Sequence, residues 1–353
     1  MPPLEDKVYA TLAATRIASA MGAVVENWSI DRIEETHGVF QELAEYVHYN
    51  NGWKRPPGTT EDGIERQKLM CAAIIKKGGR INARDLVDTW LEILDADKLK
   101  YVSEGYDRKL FEIAKTELIR PTELGNICPH FHINTTGRSF HAIPLINAGD
   151  LEGVLEDVYE IASVYQHPNS EAFPWGLVYN AAMVEALEPD AIVDSIINAG
   201  LAQASPSIKK HINRVLEIAD KHGDALAMRR EVNTVYNDRA GAYPYSGIDE
   251  NVAKSFAVLK TCGSDVRAAI VAGVNFGRDT DCTAASTSGL VAAMAGSSTI
   301  PQEWIDQSDE AAKANPYSCS RLTIRETTDG MMGALREKAA KAQRLGARLM
   351  ERL

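Results

Sequence analysis

The sequence lacks the cysteine spacings that cross-link small folds or hold structural zinc. Its five cysteines are scattered along the chain and none forms a Cys-x-x-Cys pair, so we expect reduced thiols rather than a disulfide framework. One mixed cluster, Cys128, His130 and His132, has the residue types of half a zinc site. Because no second cluster matches it, we interpret this stretch as a loop that lines a polar cleft.

Long hydrophobic runs are also absent. No window approaches the roughly eighteen consecutive apolar residues that a membrane-spanning helix needs. The N-terminus has no basic segment followed by an uninterrupted apolar run, which is the pattern of a secretory signal. These two absences predict a cytoplasmic protein that does not enter a membrane.

Positive charge is in deficit. Lysine and arginine number 38 against 49 aspartates and glutamates, for a net charge of −11. Such a charge repels nucleic acid and anionic lipid unless a local basic patch overrides it. The basic pairs Lys209-Lys210 and Arg229-Arg230 are short and lie in predicted helices, so we predict no nucleic-acid partner.

Strand-like alternation is scarce, whereas apolar residues recur at helical spacing through most of the chain. In the first predicted helix, residues 7–25, the apolar positions include Val8, Leu12 and Ile17. No linker, repeat or shift in composition divides the 353 residues. We therefore predict one all-α domain over residues 1–353.

Residues 336–353, rich in Lys, Arg and Ala, are predicted to form a C-terminal amphipathic helix. Further helices are predicted over residues 64–75, 84–120, 151–165, 177–186, 191–202, 208–219, 252–259 and 266–274.

Common catalytic patterns are missing too: we find no Gly-x-Ser-x-Gly, His-Glu-x-x-His, Walker or Gly-x-Gly-x-x-Gly motif. What the chain does contain is two acidic clusters, at residues 60–62 and 279–281, each at a predicted helix start. Taken alone, each is an ordinary helix cap with an acid in the first turn. Carboxylates that converge in space, however, favour a hard divalent cation such as Mg²⁺ or Mn²⁺.

Residues 275–301 resemble the last motif of the ADP-ribosylglycohydrolase family. That motif reads roughly Asn-x-Gly-Gly/Arg-Asp-Thr-Asp-Thr, followed by an Ala-rich helix, a glycine and Ile-Pro. The conspicuous departure is Cys282, which stands where the family has a threonine whose hydroxyl binds metal. The matching residues are Asn275, Gly277, Arg278, Asp279, Thr280, Asp281, Ala284, Ala285, Gly296, Ile300 and Pro301.

Two earlier segments extend the resemblance. The family opens with a helix that carries Gly-Asp-Ala-x-Gly-x-x-x-Glu, and here Ala20, Gly22 and Glu26 match while Ala18 and Ser19 replace Gly-Asp. A second family motif, Thr-Asp-Asp-Thr, binds metal through its first three residues. In this chain Thr60, Glu61 and Asp62 fall on those residues, and Gly63 replaces the final threonine.

The resemblance implies an all-α, metal-dependent hydrolase that cleaves a glycosidic bond at the anomeric carbon of ADP-ribose or a related ribosyl group, small or protein-attached. Glu26 would be the general acid/base. Two Mg²⁺ ions, or Mn²⁺ in their place, would be held by Thr60, Glu61, Asp62, Asp279, Asp281 and Cys282. The segment from Gly137 to Pro144 resembles a family segment that contacts ribose and phosphate. That match implies Gly137 and Ser139 as substrate contacts, and His167 is implied by a further Thr-His match.

Several alternatives stay open. The substitutions Ser19, Glu61, Gly63 and Cys282 also suit a metal-binding or partner-binding protein of the same fold that has lost turnover. The loops 36–58 and 126–144 would shape the aglycone pocket, so a different N-ribosyl compound also suits the sequence. Cys282 can stay a neutral thiol or ionise and favour softer ions. We expect the neutral thiol, because nearby carboxylates oppose a second negative charge. Oligomeric state is not predicted.

Overall fold

The computed structural model describes residues 1–48, 51–237 and 244–353. The N-terminal part contains α1 (Leu4–Gly22), α2 (Ile30–His37), β1 (Tyr46–Val47), β2 (Lys54–Arg55), α3 (Asp62–Lys77), α4 (Ala83–Ile93), α5 (Ala96–Val102), α6 (Gly105–Ala114), a 3₁₀ helix (Pro121–Ile127), α7 (Thr135–Arg138) and α8 (Ala142–Ile146). The C-terminal part contains α9 (Leu151–Tyr165), α10 (Ala172–Ala186), α11 (Val193–Gln203), α12 (Pro206–His222), α13 (Ala225–Thr234), α14 (Ile248–Cys262), α15 (Val266–Val274), α16 (Thr280–Ala295), α17 (Gln302–Ala314) and α18 (Ile324–Met350).

The predicted all-α fold is confirmed, since 68% of the described residues are helical. The short strands β1 and β2 pair antiparallel and were not predicted. The helix predicted over residues 84–120 is divided into α4, α5 and α6. The break between α4 and α5 lies at Asp95, whose side chain caps α5 by accepting a hydrogen bond from the Asp97 backbone N–H. Among the described residues, no helix combines the length and apolarity needed to cross a membrane.

Helices α1 and α16 pack against each other at the centre of the fold. Both are almost wholly buried, and the short side chains of α16 let the two backbones approach closely. At Gly22, an added Cβ would lie 2.5 Å from the Thr280 carbonyl oxygen and 2.6 Å from the Asp281 Cα. Glycine is therefore required where the end of α1 meets the start of α16.

The outer helices complete one hydrophobic core around this pair. Helix α10 is buried on nearly all faces, which suits its position between other helices. Helix α18 begins at Ile324, ahead of the predicted start at residue 336, with a capping box formed by Thr323 and Glu326. Its first turns bury Ile324 and Met331, whereas Leu345 and Leu349 near its end are exposed.

Candidate active site

A polar cleft of about 300 Å³ lies where the end of α1 meets the starts of α3 and α16. Half of the ten predicted site residues line this cleft, although they come from distant parts of the chain: Glu26, Asp62, Asp279, Asp281 and Cys282. The residues that line the cleft are Glu26, Asn27, His48, Asp62, Glu104, Ile133, Asn134, Arg138, Pro244, Tyr245, Ser246, Asp279, Asp281 and Cys282.

Backbone pairing brings the chain after α1 beside the loop before α16. The Asn27 N–H donates to the Arg278 carbonyl at 2.8 Å, and the Arg278 N–H donates to the Trp28 carbonyl at 2.9 Å. Asn27, Gly277 and Arg278 all adopt positive φ, at 63°, 68° and 67°. This tight crossing places Glu26 and the Asp279–Asp281 pair at one end of the cleft.

Arg278 contacts Glu250 and Tyr245 at one wall of the cleft. Its guanidinium forms a two-point salt bridge with Glu250, with Nε–Oε1 and Nη2–Oε2 distances of 2.8 and 2.9 Å. It also lies 4.7 Å from the centre of the Tyr245 ring. Arg278 matched the motif in sequence, but its role as the support of Tyr245 depends on packing between α14 and the loop before α16.

Asp279, Asp281 and Cys282 form a buried group whose ligand atoms all lie within 4.8 Å of one another. These residues are 4%, 2% and 4% exposed. Within the described part of the chain, Asp279 Oδ2 and Asp281 Oδ1 have no hydrogen-bond partner. Burial and the nearby Asp279 charge raise the pKa of Asp281 well above its ordinary value. Buried carboxylate oxygens without partners fit a divalent cation, which would supply the missing charge compensation.

Arg138, at the end of α7, lies among these acids, and sequence analysis had assigned it no role. Its Nη1 lies 3.2 Å from Glu61 Oε2, 3.6 Å from Asp281 Oδ2 and 3.1 Å from Cys282 Sγ. Its Nη2 donates a hydrogen bond to Asp62 Oδ2. A buried guanidinium thus connects the two acidic clusters that the sequence had predicted to meet.

The Thr60–Asp62 segment fits a metal less well than the Asp279–Asp281 pair. Glu61 caps α3 by accepting hydrogen bonds from the backbone N–H groups of Gly63 and Ile64. Thr60 points elsewhere: its hydroxyl accepts a hydrogen bond from Lys68 at 3.0 Å and lies 3.4 Å from Glu65. The cleft-lining residues include Asp62 but neither Thr60 nor Glu61.

The three predicted substrate contacts lie outside the set of described residues that line the cleft. Gly137 is buried in α7, where an added Cβ would lie 2.5 Å from Asn134 Oδ1. Ser139 is fully buried. His167 lies after α9, where its Nδ1 accepts a hydrogen bond from the Asn169 N–H and its ring packs on Phe131. Asn134, which precedes α7, and Arg138, its last residue, line the cleft instead of Gly137 and Ser139. The reason is that a helix directs only some of its side chains toward one side.

Glu26 lies at the rim of the cleft with 22% of its side chain exposed, and its Oε2 is 3.2 Å from His48 Nδ1. Burial, reinforced by Asp281, raises the pKa of Glu26 well above its ordinary value. Burial also lowers the pKa of His48 to about 4, so its imidazole is neutral at pH 7. A glutamate with a raised pKa at the edge of a cleft is suited to proton transfer near neutral pH.

Glu104, the residue before α6, is a second carboxyl group in the cleft. Burial, followed by the negative charge of Asp62, raises its pKa to about 7. Neither Glu104 nor His48 was found by sequence analysis. Each lies in a short or irregular segment without a motif, so no sequence signal marked it.

Comparisons with known proteins agree with this architecture. A solved structure described as an ADP-ribosylglycohydrolase-related protein complex superposes with a TM-score of 0.65 over 96% of this chain and 99% of its own, at 16% identity. That similarity shows a shared fold. No curated protein sequence matches the chain significantly. The sequence model of the ADP-ribosylglycohydrolase family matches residues 1–343. With nearly its whole length matched, the chain belongs to the ADP-ribosylglycohydrolase family.

Proposed function

We propose that the protein hydrolyses a glycosidic bond at the anomeric carbon of ADP-ribose or a related ribosyl group, with the help of a divalent cation. The observation that carries the proposal is the convergence of Glu26, Asp279 and Asp281 in one cleft, with two buried carboxylate oxygens left without partners among the described residues. Family membership supports the same class of reaction.

Glu26 is the proposed general acid/base. Its raised pKa lets it carry a proton near neutral pH, and that proton passes to the leaving group as the glycosidic bond breaks. The carboxylate that results accepts a proton from the attacking water as the new bond to the anomeric carbon forms. One proton is given and one is taken, so Glu26 returns to its starting state.

The acidic residues around Glu26 favour the transition state of this reaction. Positive charge develops at the anomeric carbon and ring oxygen of an oxocarbenium-like transition state. Asp62 and Glu104, which line the same cleft, are further carboxyl groups that can place negative potential beside it when ionised. A divalent cation held by Asp279 and Asp281 would bind the ribose 2′- and 3′-hydroxyls. Tyr245, 42% exposed on the cleft wall, offers a ring face to the sugar or aglycone.

The test is a panel of ADP-ribosylated proteins, O-acyl ADP-ribose and simple N-ribosyl compounds, assayed with Mg²⁺, with Mn²⁺ and with a chelator. We expect cation-dependent release of free ribose or ADP-ribose from at least one class. Glu26→Gln keeps the shape of the side chain but removes the titrating carboxyl group. It should lower turnover by at least about 100-fold with little change in substrate affinity.

Glu104→Gln is the matched comparison, because Glu104 lines the same cleft and also has a raised pKa. If Glu104→Gln stops turnover and Glu26→Gln does not, the acid/base assignment is wrong. Wild-type protein that cleaves no member of the panel while binding ADP-ribose would instead favour a binding protein that has lost turnover. Cleavage of simple N-ribosyl compounds alone would point to a substrate other than ADP-ribose.

A further inference from the structure

We propose that the Arg138 guanidinium takes the place of a second metal ion, so that this protein binds one divalent cation, at Asp279 and Asp281, instead of two. This inference rests on the proposed function, because it specifies how many divalent cations the same site binds. It comes from the contacts that Arg138 makes with both acidic clusters.

The position of Arg138 is that of a counter-ion at the centre of the cluster. Its side chain is 9% exposed, and its Nη1 faces Glu61 at 3.2 Å and Asp281 at 3.6 Å, while its Nη2 donates a hydrogen bond to Asp62. A cation bridging the two clusters would have to occupy the same space. A planar guanidinium suits this place because it presents several donors to carboxylates at once.

Glu61 has no lone pair left for a metal. Its Oε1 accepts from the Ser19 hydroxyl at 2.6 Å and from the Ile64 N–H at 3.3 Å. Its Oε2 accepts from the Gly63 N–H at 2.6 Å and from Arg138. Each carboxylate oxygen accepts about two hydrogen bonds, so both oxygens of Glu61 are fully used. The Asp279–Asp281 pair, in contrast, has two oxygens without a hydrogen-bond partner among the described residues.

Charge points to the same count of ions. The four acids Glu61, Asp62, Asp279 and Asp281 carry four negative charges when ionised, and Arg138 supplies one positive charge. One divalent cation brings the cluster to a net −1. A second would make it net positive and would lie within a few ångströms of the guanidinium, where like charges repel strongly in a buried site.

Three substitutions that set this chain apart from the family motifs, Ser19, Gly63 and Cys282, contact Arg138 or its partner Glu61 or would crowd it. A Cβ on Gly63 would lie 3.2 Å from Arg138 Cδ and 3.2 Å from Nε, so a larger residue there would crowd the guanidinium. Ser19 places a hydroxyl, not a carboxylate, against Glu61. Cys282 contacts Nη1 through sulfur. Gly63 thus leaves room for the arginine, and Ser19 lowers the negative charge that a second dication would need.

The experiment measures Mn²⁺ stoichiometry in the full-length protein by titration calorimetry and by the loss of free-Mn²⁺ spin-resonance signal. We expect one Mn²⁺ per wild-type chain and none in Asp281→Asn. Arg138→Gln removes the guanidinium from beside Glu61 and Asp62, so this variant should bind two. Arg138→Lys keeps a positive charge and should stay at one.

Arg66→Gln is the matched control. Arg66 is also a buried arginine and lies 3.5 Å from Asp62, but its main partner is Asp107. The Arg66→Gln variant should therefore bind one Mn²⁺, like the wild type. Two Mn²⁺ ions in the wild type, or an unchanged stoichiometry in Arg138→Gln, would overturn the proposal.

Two features keep this test decisive. If Arg138→Gln does not fold, the wild-type stoichiometry still decides the question. Because turnover is not measured, failure to find a substrate leaves the result intact. Conversely, two Mn²⁺ ions in an active wild-type enzyme would overturn this inference and leave the proposed hydrolase in place.

Discussion

At the scale of single residues, Cys282 is the clearest departure from the family motif. Burial raises the pKa of its thiol well above the ordinary value, and the carboxylates of Asp279 and Asp281 raise it further, against the opposing effect of Arg138. A raised pKa favours the neutral thiol, which stays our prediction for this residue. A neutral thiol is a poor ligand for Mg²⁺, and the sulfur instead contacts the Arg138 guanidinium at 3.1 Å.

We predict that Cys282→Thr leaves Mg²⁺ affinity unchanged or makes it tighter. A hydroxyl is a harder ligand than a thiol and suits Mg²⁺ better. Mg²⁺ titration by calorimetry measures this, with Cys282→Ser as a control that keeps the side-chain size while also replacing sulfur by oxygen. Loss of Mg²⁺ binding in both variants would show that the sulfur itself is a ligand.

At the scale of elements, the site depends on the crossing of α1 and α16. The Thr280 hydroxyl donates to the Gly22 carbonyl at 2.8 Å, which ties the last residue of α1 to the first residue of α16. Asp281 follows directly, so any shift of this contact moves a proposed cation ligand. Glu26 lies one short turn beyond Gly22 and is held by the same crossing.

Gly22→Ala should disturb this crossing. The new Cβ would lie within 2.7 Å of three backbone atoms of Thr280 and Asp281, and backbone cannot move aside as a flexible side chain can. We expect a loss of about 1–3 kcal/mol in the free energy of unfolding. The Mn²⁺-dependent rise in melting temperature should fall as well, because Asp281 is displaced. Chemical denaturation and thermal melting measure the two effects.

Gly346→Ala is the control for that variant. Gly346 lies in α18 with nothing within 4 Å of the added Cβ. Alanine in an exposed helix should raise stability by about 0.5–1 kcal/mol. Equal effects of the two substitutions would mean that the α1–α16 crossing is not the constraint described here.

At the scale of the whole molecule, the buried His141 couples stability to pH. Its ring is fully buried, with Nδ1 at 3.2 Å from Gln67 Nε2 and Nε2 at 3.1 Å from the Tyr179 hydroxyl. Tyr179 donates its own proton to the Ser286 carbonyl, so Nε2–H donates to Tyr179 and Nδ1 accepts from Gln67. Burial lowers the pKa of His141 from 6.5 to about 3. The neutral ring is thus built into the core.

Acid should therefore destabilise the protein through His141. Between pH 6.5 and about pH 3 the unfolded state binds the proton and the folded state does not. The free energy of unfolding then falls as pH falls, by up to about 1.4 kcal/mol per pH unit. His141→Gln removes this contribution, so its denaturation free energy measured from pH 6.5 to 4 should decline less steeply than that of the wild type.

His37→Gln is the comparison for His141→Gln, because His37 is exposed on α2 and remains in contact with solvent after folding. It should follow the wild-type pH dependence. Buried carboxylates contribute to that dependence in all three proteins, so only the difference between variants reports on His141. Identical slopes for wild type and His141→Gln would contradict the prediction.

The sequence by itself determined the helical class and the approximate positions of most helices, although it missed the division of residues 84–120 into α4, α5 and α6 and the early start of α18. Helical periodicity and capping residues act within about four positions along the chain. They therefore predict a helix without any knowledge of which helices pack against it in space. This is why Asp279 at the start of α16 and Glu61 before α3 were found at helix starts. The motif resemblance added Glu26, which the structure places at the same cleft.

Only the tertiary structure decided which side chains face one another. Arg138 is 77 residues from Glu61 and 144 from Cys282 in the chain, yet it contacts both. No local pattern records such contacts, because they depend on how α7 lies against α3 and α16. Helix positions are set by short-range geometry, whereas the charge balance of a buried site is set by whichever helices the fold brings together.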